Sequence, residues 1–338
     1  MIDIWTDAVI KEISYSSAEI SSQTKVDTIF FGGGTPSLTP TNNLEQIFNK
    51  LHGSFSISKN VEITLEANPD TLTKTKIKAW KKLGINRVSL GVQSSDQSVL
   101  QTLDRAHSPE NVKKTVELLR EEELNNFSLD LIYGTPGESI DSWKRSVDSL
   151  IELAPPHISA YALTVEPGTA LYRKVKNKEI NNINSDDQAD KYLIADAIFE
   201  RNNLPWYEIS NWATPGFECR HNLLYWKNQN WWGYGPGAHS HINGKRWWNV
   251  KHPAQYASKL AEGKSAVADY EQLNSEQQDL ERVMLSMRLR ETNLGETIPE
   301  YILHDWNEKG YLTTDKIKWE LTAEGRLLLD TLINQVTT

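Results

Sequence analysis

The stretch Asp27-Thr28-Ile29-Phe30-Phe31-Gly32-Gly33-Gly34-Thr35-Pro36-Ser37 sets a pattern that four later segments repeat. Its β-branched and aromatic run is typical of a strand that is buried on both faces. The three glycines at its carboxyl end leave backbone N–H groups uncovered, so a polar ligand could bind there; a tight strand-to-helix turn is the alternative. No G-x-G-x-x-G or Gly-Lys-Ser/Thr pattern accompanies the glycines, which argues against a nucleotide-binding loop.

The composition indicates a globular protein. A chain of 338 residues with 38% hydrophobic and 24% charged residues can bury a full core, in one large α/β domain plus a smaller one. The net charge of -9 argues against a general nucleic-acid or membrane-surface binder. Because no apolar run approaches a membrane span, we expect a cytoplasmic location. The single cysteine, Cys219, excludes an internal disulfide and a cluster of cysteine metal ligands from this chain alone.

Strands and helices alternate along the first half of the chain. The predicted strands are Val26–Phe31, Val61–Pro69, Arg87–Ser94, Phe127–Gly137 and His157–Leu163. The predicted helices are Met1–Ile13, a segment that Thr39 caps and Pro40 starts, Thr73–Leu83, Val99–Leu103, Ser108–Leu119 and a segment around Trp143. This alternation predicts parallel βαβ units, in an open doubly wound sheet or a barrel.

Polar residues at the strand ends favour the barrel. Glu66, Gln93 and Asp130 each lie at or near the carboxyl end of a different strand, where barrel enzymes gather their chemistry. A carboxylate within an apolar strand is costly unless it is paired, and Arg105 is one available cation. A structural ion pair is the alternative for each residue, and the set together favours a ligand site.

At these residues the sequence resembles the radical S-adenosylmethionine (SAM) proteins of the oxygen-independent coproporphyrinogen III oxidase group. The blocks that carry the resemblance are Phe31–Ser37, Glu66–Pro69, Arg87–Ser94, Asp104–His107, Asp130–Gly137 and Gly235–Ser240. Two more blocks, Tyr207–Ala213 and Cys219–Trp226, resemble the shorter branch of the group, the HemW-type haem chaperones. The resemblance implies an α/β fold with a partial (β/α)6 TIM-like barrel that lacks its first strand here.

The same resemblance implies a site for S-adenosylmethionine. Gly33, Gly34 and Thr35 would meet its amino end, Glu66, Gln93, Arg105 and Asp130 would hold its ribose and carboxylate, and Ala162 would touch its adenine. Family members also carry C-x-x-x-C-x-x-C, whose thiolates hold a 4Fe-4S cluster. That motif is absent from this chain, so we expect an N-terminal truncation rather than a protein that is naturally without a cluster.

Tryptophans and histidines crowd the segment from Leu204 to Trp248. They predict either a packing layer that closes the open side of the barrel or a flat apolar pocket for a porphyrin. Haem iron is commonly held by imidazole, so His221, within a matched block, and then His107 are candidate haem ligands. For each histidine a structural role is the alternative.

The pattern changes past about Ser240. Helices are predicted at Pro253–Ala261, Ser275–Arg290, Ile298–Trp306 and Ala323–Ile333, with a hairpin of Gly310–Leu312 and Trp319–Thr322 before the last. This α+β part resembles a winged-helix module. Acidic residues outnumber basic ones in it, which favours docking to the barrel or to a protein rather than to DNA. The predicted domains are a barrel over 1–165, an aromatic-rich extension over 166–245 and a winged-helix-like domain over 246–338.

The branch resemblance favours a haem chaperone that binds haem or a porphyrin and passes haem to an acceptor protein. An oxygen-independent coproporphyrinogen III oxidase is the alternative, although the chain as written lacks the cluster cysteines for that reaction. A non-catalytic remnant is the third possibility. A homodimer is compatible with the sequence, and no nucleic-acid partner is expected.

Overall fold

The computed structural model describes residues 2–20, 24–315 and 318–337. Seven strands belong to one sheet: β1 (Lys25–Phe31), β2 (Ser56–Ala67), β3 (Arg87–Gln93), β4 (Phe127–Tyr133), β5 (His157–Ala162), β6 (Trp206–Glu208) and β7 (Asn211–Ala213). Their order across the sheet is β1-β2-β3-β4-β5-β7-β6. The first five strands confirm the five that the sequence predicts.

Helices separate these strands: α1 (Ile2–Glu19), α2 (Thr41–Ser54), α3 (Lys74–Lys82), α4 (Gln97–Thr102), α5 (Pro109–Glu121), α6 (Ile140–Ile151), α7 (Ala170–Lys176) and α8 (Ser185–Arg201). The predicted start of α5 is confirmed, because Ser108 caps it by accepting a hydrogen bond from the Asn111 amide. The predicted cap of α2 is wrong. Thr39 instead ends a short 3-10 turn by donating its N–H to the Pro36 carbonyl, and Pro40 precedes the helix.

The middle of the sheet is parallel and its end is antiparallel. Strands β3, β4 and β5 run parallel, and their register places Asp130 opposite both Gly91 and Ser159. Strands β7 and β6 continue the sheet in the antiparallel sense. Each has only three residues, too few to show an alternating pattern, so sequence periodicity did not predict them.

A second, three-stranded sheet contains β8 (His239–Ile242), β9 (Lys245–Asn249) and β10 (Val267–Gln272), in the order β10-β9-β8. A hairpin pairs β11 (Leu312–Thr314) with β12 (Trp319–Leu321), as predicted. The remaining helices are α9 (Arg220–Trp226), α10 (Pro253–Ala261), α11 (Ser275–Ser286), α12 (Glu300–Glu308), α13 (Ala323–Leu327) and α14 (Leu329–Thr337). The final predicted helix is interrupted at Leu328.

The chain divides into two compact units. Unit 1 consists of Met1–Thr64, Lys78–Asn86 and Cys219–Ser286, and unit 2 consists of Leu65–Ile77, Arg87–Glu218 and Met287–Thr338. The core of unit 1 joins residues of α1, α2 and α10 with two that flank the second sheet, Val250 after β9 and Ala266 before β10. The helical members are Ala8, Val9, Ile13, Ile47, Leu51, Tyr256 and Leu260. Ile29 and Phe31 of β1 pack against it.

Unit 2 contains a chain of contacting aromatic rings and buried ion pairs, among them Lys191 with Glu138 and Arg326 with Asp196. Neighbouring rings of Tyr133, Tyr192 and Trp212 lie within 6.4 Å of each other, centroid to centroid. Arg326 in α13 donates to Asp196 in α8 at 2.6 Å, which attaches the C-terminal helices to the rest of this unit. Over the described ranges, no helix is both long enough and apolar enough to cross a membrane.

Candidate functional site

Asp130 lies in β4, and its carboxylate accepts hydrogen bonds from serines of three adjacent strands. Ser159 in β5 and Ser128 in β4 donate to Oδ1 at 2.7 and 3.0 Å, and Ser89 in β3 donates to Oδ2. Burial raises the pKa of Asp130, and the serine hydrogen bonds and then the charge of Arg87 oppose this increase. A carboxylate offers about four acceptor positions, and serines of the described part of the chain fill three of them, which leaves one for a ligand donor.

Gln93 is the last residue of β3, and Arg105 contacts Asn68, which directly follows β2. Gln93 is buried, and its backbone φ is 66°, in the left-handed region that residues other than glycine rarely adopt. A Cβ at Gly91 would lie 2.8 Å from Gln93 Nε2, so glycine is what allows the Gln93 side chain to lie this close to the backbone of β3. The same Cβ position is 3.8 Å from Asn68 Oδ1. Arg105 Nη1 donates to the same Asn68 oxygen at 3.4 Å. Gly91 thus lies between the Gln93 side-chain amide and the Asn68 oxygen that Arg105 contacts.

The other two predicted residues of unit 2 lie on β2 and β5, the strands on either side of β3 and β4. Glu66 is half-buried near the end of β2, two residues before Asn68. Ala162 is exposed at the end of β5, where it pairs with Tyr133 of β4. Its methyl group can offer only apolar contact, which suits the face of a flat ring.

The glycine turn belongs to unit 1. Gly33 and Gly34 have φ of 80° and 63°, which glycine adopts without strain. A Cβ built on either one would meet nothing within 4 Å, so the space beside the turn is open. Thr35 follows with no side-chain cap to the turn Pro36–Leu38. The conformation thus leaves room for a ligand at this turn.

His221 lies in the first turn of α9, and both of its ring nitrogens are engaged. Nδ1 is 2.8 Å from Thr28 Oγ1 and Nε2 is 2.8 Å from the Tyr225 hydroxyl. The ring stacks on Phe30, with centroids 5.0 Å apart and planes at 21°. Burial lowers the pKa of His221 to about 4, so its imidazole is neutral at neutral pH. Neutral imidazole is the form that binds iron, but one hydrogen bond would have to break first.

Glu62 fixes the start of α9, and sequence analysis did not single it out. Its Oε2 accepts the amide of Arg220 at 3.2 Å and its Oε1 accepts the amide of His221 at 3.1 Å. Cys219, the N-cap residue, makes no side-chain cap. A carboxylate at a helix N-terminus is favourable because it meets unsatisfied N–H groups. The available signal was an acidic residue within an apolar strand, the signal that pointed to Glu66.

His107, the second predicted haem ligand, is buried. Its side chain is 2% exposed, and its Nε2 lies 2.7 Å from the Val92 carbonyl oxygen. In this arrangement the imidazole holds the segment after α4 against the end of β3. Iron would reach it only if this segment opened.

Comparisons with known proteins place the chain in a family. Residues 9–150 match the model of the radical SAM superfamily. The heme chaperone HemW of Mycobacterium tuberculosis H37Rv is 41% identical over 338 residues, which cover 98% of this chain and 85% of the relative. The heme chaperone HemW of Bacillus subtilis 168 is 32% identical over 340 residues, covering 97% and 89%. The chain belongs to the HemW family of radical SAM proteins.

The fold agrees with this membership. Coproporphyrinogen III oxidase HemN of Escherichia coli, a radical SAM enzyme, superimposes with a TM-score of 0.85 over 100% of this chain and 83% of that one, at 21% identity. This likeness confirms the predicted α/β half-barrel with a small C-terminal domain of hairpin and helices. At that identity it shows the fold alone.

Membership of the HemW family implies S-adenosylmethionine and a 4Fe-4S cluster, and the two fit this chain differently. The polar residues at the ends of β3 and β4 include donors and a remaining acceptor that suit the amino-acid and ribose parts of S-adenosylmethionine. The cluster needs several thiolates, and the chain has one cysteine, Cys219, which is buried. Within 2–20, 24–315 and 318–337, no set of His, Cys, Asp and Glu is arranged for a metal ion. The residues present do not fit a cluster.

Proposed function

We propose that this chain binds haem and delivers it to an acceptor protein, as the name of its HemW relatives says of them. One observation carries the proposal: the 41% identity extends over 98% of the chain, so it includes the aromatic segment from Leu204 to Trp248 as well as the barrel. A coproporphyrinogen III oxidase is less supported, because only a fold likeness at 21% identity favours it.

S-adenosylmethionine is the second ligand in this proposal. In unit 2, the Arg105 guanidinium would face the ligand's carboxylate, and the remaining acceptor position of Asp130 would take a ribose hydroxyl. Gln93 and Glu66 would complete the polar contacts, and Ala162 would lie against adenine. The turn from Gly33 to Thr35 stays a prediction for the amino group.

In radical SAM proteins this cofactor yields a 5'-deoxyadenosyl radical when a cluster supplies an electron. No such step is assigned to the residues of this chain, because they do not fit a cluster. The role proposed for them is binding: they hold a charged, flat ligand at the strand ends.

The proposed partner is a haem-acceptor protein, and the proposed compartment is the cytoplasm. A lone, buried cysteine supports a reducing compartment, where disulfides are rare. The net charge of -9 supports a protein partner over nucleic acid.

A haem titration tests the proposal. Ferric haem added to the full chain should give a Soret band distinct from that of free haem, and apomyoglobin should then take up haem from the loaded chain. If His221 is an iron ligand, His221→Ala should shift this band, because the axial ligand would change. An unshifted band in that variant would rule out His221, and no band with the unmodified chain would overturn the proposed function.

A further inference from the structure

A pocket lies in unit 2, at the end of the sheet where β4 and β5 begin. Its volume is about 440 Å³, within the size range of small-molecule sites. Phe127, the first residue of β4, forms part of its wall, together with Pro156 directly before β5 and Thr214 directly after β7. Ala162, which is proposed to contact S-adenosylmethionine, lies at the opposite end of β5. The pocket is therefore separate from that site.

The wall of this pocket is mostly apolar. Phe127 and Leu204 are buried, and Phe217 is half-buried. Pro155 and Pro156 belong to the same wall, and neither has a backbone N–H to donate. Such a wall suits the apolar body of a ligand, and the two phenyl rings favour an aromatic one.

Arg120, in the last turn of α5, is the one charged residue that lines the pocket within the described part of the chain. Its Nη2 donates to the carbonyl oxygens of Leu153 at 2.6 Å and Ala154 at 2.9 Å. Its guanidinium carbon lies 5.7 Å from the centroid of the Phe127 ring. These contacts fix an exposed guanidinium at the pocket, while Nε and Nη1 have no acceptor and no carboxylate forms a salt bridge with Arg120 among the described residues.

A second guanidinium lies behind this wall. Arg87 is 1% exposed, and its Nη1 donates to the carbonyl of Phe217, which lines the pocket, at 2.9 Å and to Oδ1 of Asn126, which precedes Phe127, at 2.8 Å. Its Nη2 has no hydrogen-bond partner among the described residues. The charge of Arg87 acts through space on Asp130, but no described carboxylate forms a salt bridge with it. Because a buried charge is weakly screened, Arg87 adds positive potential to the pocket.

These features distinguish between classes of ligand. A phosphate has several oxygens that need backbone N–H groups or several cations, and a wall with two prolines offers few of these donors. A single carboxylate can pair with one guanidinium. We propose that this pocket binds a small aromatic carboxylate, whose ring lies against Phe127 and Leu204 and whose carboxylate pairs with Arg120. This ligand is neither haem nor S-adenosylmethionine, so the inference goes beyond the proposed function.

Calorimetry with 2-naphthoate and its neutral analogue 2-naphthamide tests the assignment on the full chain. The carboxylate should bind with a dissociation constant of about 1 mM or tighter, the affinity that the usual ligand efficiency gives a molecule of this size. The amide should bind roughly fivefold more weakly, because it lacks the charge that pairs with Arg120. Equal affinities would overturn the carboxylate assignment, and no binding of either compound would overturn the site.

The pairing with Arg120 is tested by changing its charge. Arg120→Gln should bind 2-naphthoate roughly fivefold more weakly and 2-naphthamide as the parent does, a split that a distorted pocket would not show. Lys113→Gln removes the same charge from an exposed position of α5 that does not line the pocket, and it should bind both compounds as the parent does. Unchanged affinity of Arg120→Gln for 2-naphthoate, or an equal loss in Lys113→Gln, would overturn the pairing.

A tryptophan at the pocket tests its location. Asn202, the exposed C-cap residue of α8, lines the pocket, so Asn202→Trp should fill the space and lower both affinities by about tenfold or more. Asn177→Trp is the matched control at the exposed C-cap of α7 and should bind as the parent does. Binding that persists in Asn202→Trp would mean that the ligand binds elsewhere and would overturn the proposal. The haem titration is independent of these results, so either conclusion can fail while the other stands.

Discussion

Two partly buried carboxylates, one in each unit, both accept several hydrogen bonds, but their donors differ in how easily they can reorient. Asp130 in unit 2 accepts from serine hydroxyls, whereas Glu12 in unit 1 accepts from the Tyr256 hydroxyl, the Gly235 backbone amide at 2.9 Å and the Asn249 side-chain Nδ2 at 2.6 Å. Burial raises the pKa of both. A hydroxyl can rotate from donor to acceptor, but a backbone N–H cannot. The hydroxyls around Asp130 can therefore reorient when a ligand binds, whereas the donors around Glu12 hold it in one structural arrangement.

Removing the Glu12 carboxylate should have the largest effect on the unfolding free energy. Glu12→Ala removes the acceptor of the Gly235 amide and of the Tyr256 hydroxyl, so we expect a loss of about 2–4 kcal/mol in unfolding free energy. Urea unfolding measures this change. Glu19→Ala, at the exposed end of the same helix, is the control and should stay within about 0.5 kcal/mol. Equal losses in the two variants would contradict the role given to Glu12.

Changing the adaptable carboxylate should affect binding more than folding. In Asp130→Asn the serine hydroxyls can reverse to accept from the new amide, so the unfolding free energy should fall by only about 1 kcal/mol. Calorimetry should show S-adenosylmethionine bound about tenfold more weakly, since a charged acceptor for a ribose hydroxyl is lost. Ser128→Ala keeps the carboxylate and should bind it nearly as the parent does. Unchanged affinity in Asp130→Asn would remove Asp130 from the proposed site.

The smallest expected effect is a pH trend. Because the folded state raises the pKa of Glu12 above its ordinary 4.5, the folded chain holds this proton more tightly than the unfolded chain. The corresponding stability is fully present below pH 4.5 and is lost as pH rises through the raised pKa. Glu12→Gln cannot titrate there, so the free-energy advantage of the parent should shrink with pH, by about 1.4 kcal/mol for each pH unit between the unfolded and folded pKa values. If the parent's stability relative to Glu12→Gln grew as pH rises, the direction assigned to the pKa of Glu12 would be wrong.

The sequence was informative where a pattern is local. Buried strands and a Ser-Pro helix start depend on neighbouring residues, so β1 to β5 and the cap at Ser108 were predictable. The polar strand ends also pointed to Asp130, which the parallel register brings beside serines of β3 and β5.

What could not be predicted depends on distant partners. Glu12 falls on the apolar stripe of α1, and nothing near it in sequence shows that Tyr256 and Asn249 will supply its donors. Glu62 looks like an ordinary strand residue until α9 begins beside it. The stacking of His239 on Trp248 follows from a strand register that composition alone does not fix.

The dependence of α9 on Glu62 has a consequence for the order of assembly. A helix of seven residues is too short to persist in isolation, and this one takes its first hydrogen-bond acceptor from a residue 158 positions earlier. The helix can therefore become stable only after β2 is in place and that long loop has closed. The amides of Arg220 and His221 should therefore gain protection from hydrogen exchange only after β2 has formed.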